Sequence, residues 1–173
     1  ARINELRVIP ASELESEWVE LRNDRSESVD FVPFVLREEE SDLSYAFPPQ
    51  MPLVPPGAFV LIVFDGLGAD LNDYDYSDNV ALLHTPAGLS GDVFLDAMDE
   101  CALMRDGQVI DRVAWGPELP FFGETINTAD SAGGLGALRT GGAIGVHPLG
   151  DKSSDTYWVH YASTELTPGL ANP

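Results

Sequence analysis

Basic residues are the scarcest class in this chain. Lys152 is its single lysine, and nine Lys and Arg residues stand against 29 Asp and Glu, for a formal net charge of −20. Nucleic acids and anionic membranes are bound largely through lysine and arginine at their phosphates, so the composition argues against both as partners. Many aspartates with little lysine favour a source that lives at high salt, where ions screen the self-repulsion. An ordinary acidic secreted protein is the other interpretation.

Cysteine and histidine are also scarce, and their spacing matches no catalytic or zinc motif. Cys101 is the single cysteine, which excludes an internal disulfide, and its apolar neighbours predict a buried thiol. His84, His147 and His160 are far apart in sequence and form no metal-binding pattern. The sequence has neither a nucleophile elbow nor a phosphate-binding glycine loop. We therefore expect a protein that is not an enzyme.

Long apolar runs and amphipathic helical patterns are missing as well. The longest apolar run, residues 58–64, falls far short of the ~18 residues that suggest a membrane-spanning helix, so no membrane insertion is expected. Instead, roughly eight to ten short apolar or alternating segments with turn signals between them predict an all-β sandwich. Val19 and Leu21, for example, alternate with more polar neighbours. Asp106-Gly107 separates two apolar runs and predicts a β-hairpin.

The 173 residues are most simply one domain, in which two segments break the strand pattern. Residues 65–79 are rich in aspartate and residues 116–150 are rich in glycine, so both are predicted to be insertions or loops. A third irregularity is Pro33, inside the apolar segment 29–36. Proline cannot donate a hydrogen bond to a ladder, so this segment is predicted to be an edge strand or to carry a bulge.

Several short motifs, in a fixed order along the chain, resemble those of the lamin tail domain family. From start to end they are Asn4-Glu5, Glu17-Trp18-Val19-Glu20-Leu21, Asn23, Asp30, Pro56-Gly57, Gly91-Asp92-Val93, Val109-Ile110-Asp111-Arg112-Val113, Trp158 and Thr167-Pro168-Gly169 with Asn172. Leu138-Arg139 is a looser match. The family usually has glycine after an aspartate-leucine pair, whereas in this chain Asp30-Phe31 is followed by Val32-Pro33. The segments 65–79 and 116–150 have no counterpart that we can place in the family.

The resemblance implies an immunoglobulin-like β-sandwich, and it implies function only broadly. Lamin tails of animals bind nuclear partners and DNA, a role that needs a basic surface and does not carry over to this chain. Prokaryotic members look like accessory modules of secreted or envelope proteins. We therefore expect a non-catalytic binding or structural module, secreted or at the cell surface, with a protein or cell-envelope component as its partner. An open sheet edge would also allow a homo-oligomer.

The aspartate-rich segment is the one constellation that suggests a metal. Its candidate ligands are hard oxygen donors close together in sequence: Asp70, Asn72, Asp73, Asp75 and Asp78. Calcium takes about six to eight such oxygens. The segment departs from the EF-hand loop, because its sixth residue counted from Asp73 is Asp78, where that loop has glycine. A solvated acidic loop is the competing interpretation, so calcium enters as an alternative.

Three aromatic residues are candidates for a ligand face: Trp115, Phe121 and Phe122. The two phenylalanines follow Pro120 in a predicted loop, and exposed aromatic rings favour binding of sugars or peptides. Packing within the protein is the alternative for all three. Two other functions stay open. One is a calcium-dependent carbohydrate-binding or adhesion module, and the other is a hydrolase with carboxylates from the acidic loops, about 5–9 Å apart in a cleft.

Overall fold

The chain is built from short β-strands. The computed structural model describes residues 1–7, 16–38, 43–89, 99–115, 143–146 and 158–161. The strands of this part of the chain are β1 (Arg2–Arg7), β2 (Trp18–Arg22), β3 (Phe34–Glu38), β4 (Ser44–Ala46), β5 (Phe59–Val63), β6 (Val80–His84), β7 (Asp99–Arg105), β8 (Gln108–Trp115), β9 (Ala143–Val146) and β10 (Trp158–Tyr161). Three single 3-10 turns lie between them, at Ala69–Leu71, Tyr76–Asp78 and Ala87–Leu89. The predicted all-β fold is confirmed.

The strands form two sheets that share one core. Six strands pair in the order β10-β9-β1-β2-β5-β6, and four pair in the order β4-β3-β7-β8. One cluster of buried side chains joins the sheets, with Ile3 and Val19 from the first and Leu36, Cys101 and Leu103 from the second. Cys101 is fully buried, as its apolar neighbours predicted. Among the described residues, no helix has the length and apolar character needed to cross a membrane.

The alternation in β2 places its side chains as predicted. Val19 and Leu21 belong to the core between the sheets. Trp18 and Glu20 therefore lie on the opposite face of the six-stranded sheet, because successive side chains of a strand point to opposite faces. Trp18 is only 6% exposed, and Glu20 is fully buried.

The residues that carry the family resemblance near the start of the chain are buried. Asn4, Glu5, Glu17, Glu20 and Asn23 are each 2% exposed or less. A buried polar group destabilises a fold unless it is hydrogen-bonded. Asn4 Nδ2 donates to Glu20 Oε1 at 2.7 Å, which links β1 to β2. These residues therefore support the fold, and none is placed to touch a ligand from solvent.

The predicted hairpin at Asp106-Gly107 is confirmed. It joins β7 to β8, which pair antiparallel. Asp106 has φ of 51° and Gly107 has φ of 74°. Two-residue hairpin loops of the commonest type need positive φ at both central positions, which explains why an Asp-Gly pair stands here.

One prediction about strand placement is wrong, and one segment predicted to be an insertion or loop contains a strand that was not predicted. β3 begins at Phe34, directly after Pro33, and lies between β4 and β7, so it is not an edge strand. The proline lies in the turn that precedes the strand, where its missing donor costs nothing. The segment 116–150 contains β9, which pairs with β1 and β10 and therefore belongs to the sheet. This strand was not predicted because glycine is uncommon within strands, and Gly145 lies in the middle of β9, opposite Glu5 of β1.

Some predicted features lie outside the described residues. They are Gly91-Asp92-Val93, Leu138-Arg139, the remainder of the segment 116–150 and the terminal motif from Thr167 to Asn172.

The pairing of β5 with β6 determines where the candidate site lies. These two strands are parallel, whereas the other pairings between the described strands are antiparallel. Parallel neighbours cannot be joined by a tight turn, because the chain must return to the end from which the first strand started. In this chain residues 64–79 make that return, which places the aspartate-rich segment beside β6.

Candidate functional site at the edge of the six-stranded sheet

The aspartate-rich segment follows the outer edge of β6. We call residues 65–79 the edge loop. It pairs with β6 and the residues after it at two isolated bridges, Leu67 with Pro86 and Asp73 with Leu82, both antiparallel. The edge loop therefore lies where a seventh strand of this sheet would lie, but it pairs only at these two bridges.

Backbone hydrogen bonds fix the edge loop to β6. Leu82 donates its N–H to the carbonyl of Asp73 at 2.9 Å and accepts from the N–H of Asp73 at 2.8 Å. The N–H of His84 donates to Oδ1 of Asn72 at 2.7 Å. An edge strand normally presents such groups to solvent or to another chain. Here the loop of the same chain occupies them.

A tight turn ends the loop and begins β6. Oδ1 of Asp78 accepts from the N–H of Val80 at 3.1 Å. Asn79 lies between them with left-handed φ of 73°, a conformation that asparagine adopts more readily than most residues. Val80, Leu82 and His84 thus all have their N–H groups hydrogen-bonded to the edge loop, so this edge of the sheet is closed.

Two aspartates of the loop hold its own turns. Oδ1 of Asp73 accepts from the N–H of Asp75 at 2.9 Å. Oδ1 of Asp75 accepts from the N–H of Ser77 at 2.9 Å, and its Oδ2 accepts from the Ser77 hydroxyl at 3.0 Å. Tyr76 packs its ring against the core, and burial raises the pKa of its hydroxyl to about 12. These side chains explain why a segment rich in aspartate has a defined shape.

The predicted calcium ligands share the loop but do not form a common cluster. Asp70 is exposed in the turn Ala69–Leu71, and Asn72 accepts from His84 on β6. In the described part of the chain, no three Asp, Glu, His or Cys side chains are grouped as a metal ion would require. Calcium binding stays a prediction, and local capping is the role that the observed hydrogen bonds support.

We expect calcium to raise the melting temperature of chelator-stripped protein no more than magnesium does at fixed high salt. The carboxylates of the loop already accept backbone N–H groups and do not gather around one ion. Either cation is therefore expected to act only by screening their charge. A thermal melt would detect a real site, because a ligand at a hundredfold excess over Kd stabilises the native state by about 2.7 kcal/mol. A saturable, calcium-selective rise that Asp73→Asn with Asp75→Asn abolishes would contradict this expectation and establish the metal.

One pair of side chains at this edge was missed by sequence reasoning. Asp65 follows β5 and His84 ends β6, and Oδ2 of Asp65 lies 2.5 Å from Nδ1 of His84. Both side chains are mostly buried, at 14% and 15% exposed. The two side chains meet because the parallel strands β5 and β6 place their carboxyl ends side by side, and the pattern of neither strand alone indicates this pairing. In the described part of the chain, the hydrogen bond of the His84 ring is to this carboxylate.

The edge loop also presents apolar side chains to solvent. Leu67 is 61% exposed and Leu71 is 56% exposed, the two highest values among the large apolar residues of the loop. Asp70 lies between them and Asp65 precedes them, and the loop contains no Lys or Arg. Scattered exposed leucines are ordinary, but two on one ordered loop form a candidate contact surface.

The aromatic ligand face is not assembled by the described residues. Phe121 and Phe122 lie outside them. Trp115 ends β8, opposite Asp99 of β7 in the ladder. The prediction for these three residues stays a prediction.

Comparison with known proteins adds no identity. No protein-family model matches the chain, and no curated protein matches it. The geometry of the two sheets and their edges is therefore the basis for assigning a function.

Proposed function

We propose that this chain is a non-catalytic binding module of a secreted or cell-envelope protein, resembling the lamin tail domains. In this proposal the edge loop is the recognition surface for a protein partner. The observation that carries it is the exposure of Leu67 and Leu71 on a loop whose backbone is fixed to β6.

A fixed loop is suited to binding because association costs less when the contacting segment is already ordered. The bridge of Asp73 to Leu82 in β6, the bridge of Leu67 to Pro86 after it, and the turn at Asp75 hold the loop in place without a partner. Binding then loses little conformational freedom of the backbone. Burial of the two leucines supplies the apolar contact.

Charge indicates the kind of partner. The loop carries Asp65, Asp70, Asp73, Asp75 and Asp78 without a basic residue. Complementary potentials across an interface speed association and select partners. The partner is therefore expected to have an apolar pocket with basic residues at its rim.

Contacts in the fold between residues of separate motifs support the family resemblance. Asn23 and Pro56-Gly57 are far apart in sequence, yet the N–H of Gly57 donates to the carbonyl of Asn23 at 2.8 Å. Motifs whose residues meet in the fold are consistent with one inherited architecture. The immunoglobulin-like form of the sandwich is part of this proposal.

The test compares leucines inside and outside the loop. The chain is immobilised at high salt and exposed to an envelope extract of the source cells, and each retained protein is then purified and titrated. Changing Leu67 and Leu71 together to serine should weaken a true partner about 30-fold, for roughly 1 kcal/mol lost per leucine.

The matched control is Leu53→Ser, because Leu53 is equally exposed, at 58%, but lies outside the loop. That variant should bind like the unchanged protein. A partner that binds the double variant as tightly as the unchanged chain would refute the loop as the recognition surface. Retention of a polysaccharide only in calcium would instead support the calcium-dependent carbohydrate-binding alternative.

A further inference from the structure

Two of the edge strands, β6 and β4, differ in what lies beside them. The edge at β6 is closed by the edge loop. The edge at β4 is a strand of three residues whose Ser44 and Ala46 are both exposed. The shortness of β4 limits how far an added chain can pair with it, but β4 has no charged or proline residue that would block pairing.

The ladder shows which backbone groups of β4 point away from its neighbour. The N–H of Glu38 donates to the carbonyl of Leu43 at 3.0 Å, so these opposite residues form a hydrogen-bonded pair. In an antiparallel ladder such pairs alternate with pairs that are not hydrogen-bonded. Ser44 and Ala46, opposite Arg37 and Val35, therefore turn their N–H and C=O groups outward. This part of β4 offers two donors and two acceptors to an added strand.

A groove lies next to this edge on the outer face of the four-stranded sheet. It has a volume of about 470 Å³ and is lined by Val35, Arg37, Ser44, Met104 and Gly107. Ser44 belongs to both features, so the groove is continuous with the edge strand. Peptides that add a strand obtain affinity from main-chain hydrogen bonds and specificity from pockets for alternate side chains.

The register assigns a different chemistry to each outward position. Ala46, Val35 and Met104 lie side by side across the outer face, which makes one row apolar. Ser44 lies opposite Arg37, which makes the next row basic. A strand added antiparallel to β4 would thus place an aliphatic side chain beside Ala46. Two residues later it would place a carboxylate beside Ser44 and toward Arg37.

We propose that β4 and its groove bind an extended segment of a partner protein by strand addition, with the pattern aliphatic–any–acidic. The segment pairs antiparallel with β4, its aliphatic side chain enters the row of Val35 and Met104, and its carboxylate meets Arg37. This surface is separate from the edge loop, so it stands or falls independently of the proposed function.

The probe is the peptide acetyl-Thr-Val-Thr-Glu-Thr-amide, titrated to low millimolar concentration while backbone amide resonances of the whole chain are followed. Saturable shifts are expected at Ser44, Ala46 and Met104. The order-swapped peptide acetyl-Thr-Glu-Thr-Val-Thr-amide has the same composition and should bind about tenfold more weakly, because it places the acid beside the apolar row.

Methylated peptides test the hydrogen bonds directly. Methylation of the valine or glutamate nitrogen removes a donor that faces β4 and should abolish binding. Methylation of the central threonine nitrogen, which faces solvent in this pairing, should leave the affinity within about twofold. Equal loss in both cases would refute strand addition.

Two variants complete the test on the protein side. Ala46→Pro removes the outward N–H without touching the ladder to β3 and should weaken binding about tenfold, whereas Ala46→Ser keeps the donor and should not. Met104→Gln tests the groove should Ala46→Pro fail to fold, and it should also reduce affinity. Absence of any shift at Ser44 and Ala46 would overturn the proposal. So would dimerisation of the chain through this edge without peptide binding, which would assign β4 to a second copy.

Discussion

Replacing Asn23 by alanine is expected to lower the free energy of unfolding by about 2–4 kcal/mol. Asn23 is fully buried. Its Nδ2 donates to the carbonyls of Glu27, Val54 and Pro55 at 2.9, 2.9 and 3.1 Å, and its Oδ1 accepts from the N–H of Arg25 at 3.0 Å. Alanine would remove all four contacts and leave a cavity at a buried position, whereas the carbonyls of Val54 and Pro55 would keep the N–H groups of Val29 and Ala58 as donors. Denaturant unfolding measures the loss.

Two further variants make the Asn23 result specific. Asn23→Asp retains the acceptor but turns a carboxylate toward three carbonyl oxygens, so it should destabilise at least as much as alanine. Asp30→Ala removes a similar local bond, from the N–H of Val32 at 3.0 Å, at an exposed site, and should cost less than about 1 kcal/mol. A stability of Asn23→Ala within 1 kcal/mol of the unchanged protein, on the same measurement, would contradict this role.

Replacing Asp111 by alanine is expected to destabilise the protein by about 2–3 kcal/mol. Asp111 lies on β8 of the four-stranded sheet and is 7% exposed. Its Oδ2 accepts from the N–H of Ile3 on β1 of the six-stranded sheet at 2.8 Å. The ladder of β1 with β2 is irregular between Ile3 and Glu5. The carboxylate therefore holds a buried backbone donor across the two sheets, and its loss should loosen their contact.

The asparagine variant separates charge from hydrogen bonding at this position. Asp111→Asn keeps an oxygen that can accept from Ile3, so it should recover about half of the stability lost in Asp111→Ala. Thermal or denaturant unfolding of the three proteins at one salt concentration measures this. Equal stability of the alanine variant and the unchanged protein would show that the contact between sheets does not depend on this bond.

Local patterns predicted the parts of the fold whose cause is local. The alternation around Val19 and Leu21 predicted that these two residues share one face of β2, since the strand period is fixed by backbone geometry. Asp106-Gly107 predicted its hairpin because few residue pairs accept positive φ at both positions. The aspartates of residues 65–79 predicted a loop because aspartate side chains accept hydrogen bonds from nearby backbone N–H groups in turns.

Features that depend on distant pairing were not predictable in this way. β9 was missed because its Gly145 weakens the strand pattern, and its place beside β1 is set by residues more than a hundred positions away. The pair of Asp65 and His84 exists because β5 and β6 are parallel. That arrangement left no mark in either strand alone. The closure of the β6 edge by its own preceding loop follows from the same pairing.

The sequence therefore predicted where the candidate site lies, but not the hydrogen bonds that its side chains make. The segment was identified, and Asn72, Asp73, Asp75 and Asp78 do have defined roles in it. Those roles are hydrogen bonds to backbone and neighbouring side chains, whereas the sequence suggested oxygen ligands of an ion. Oxygen atoms suited to calcium are equally suited to capping turns, and sequence cannot tell the two uses apart.

The edge of the six-stranded sheet at β6 is closed by the edge loop, whereas the edge of the four-stranded sheet at β4 is not covered by any described residue. Residue-resolved amide hydrogen exchange of the free chain tests it most directly, because exchange reports hydrogen bonding of each N–H under native conditions. We expect slow exchange at Val80, Leu82 and His84, and exchange at Ser44 and Ala46 close to that of an unprotected peptide. Fast exchange at the three β6 amides, or strong protection at Ser44 and Ala46 without a partner, would contradict it.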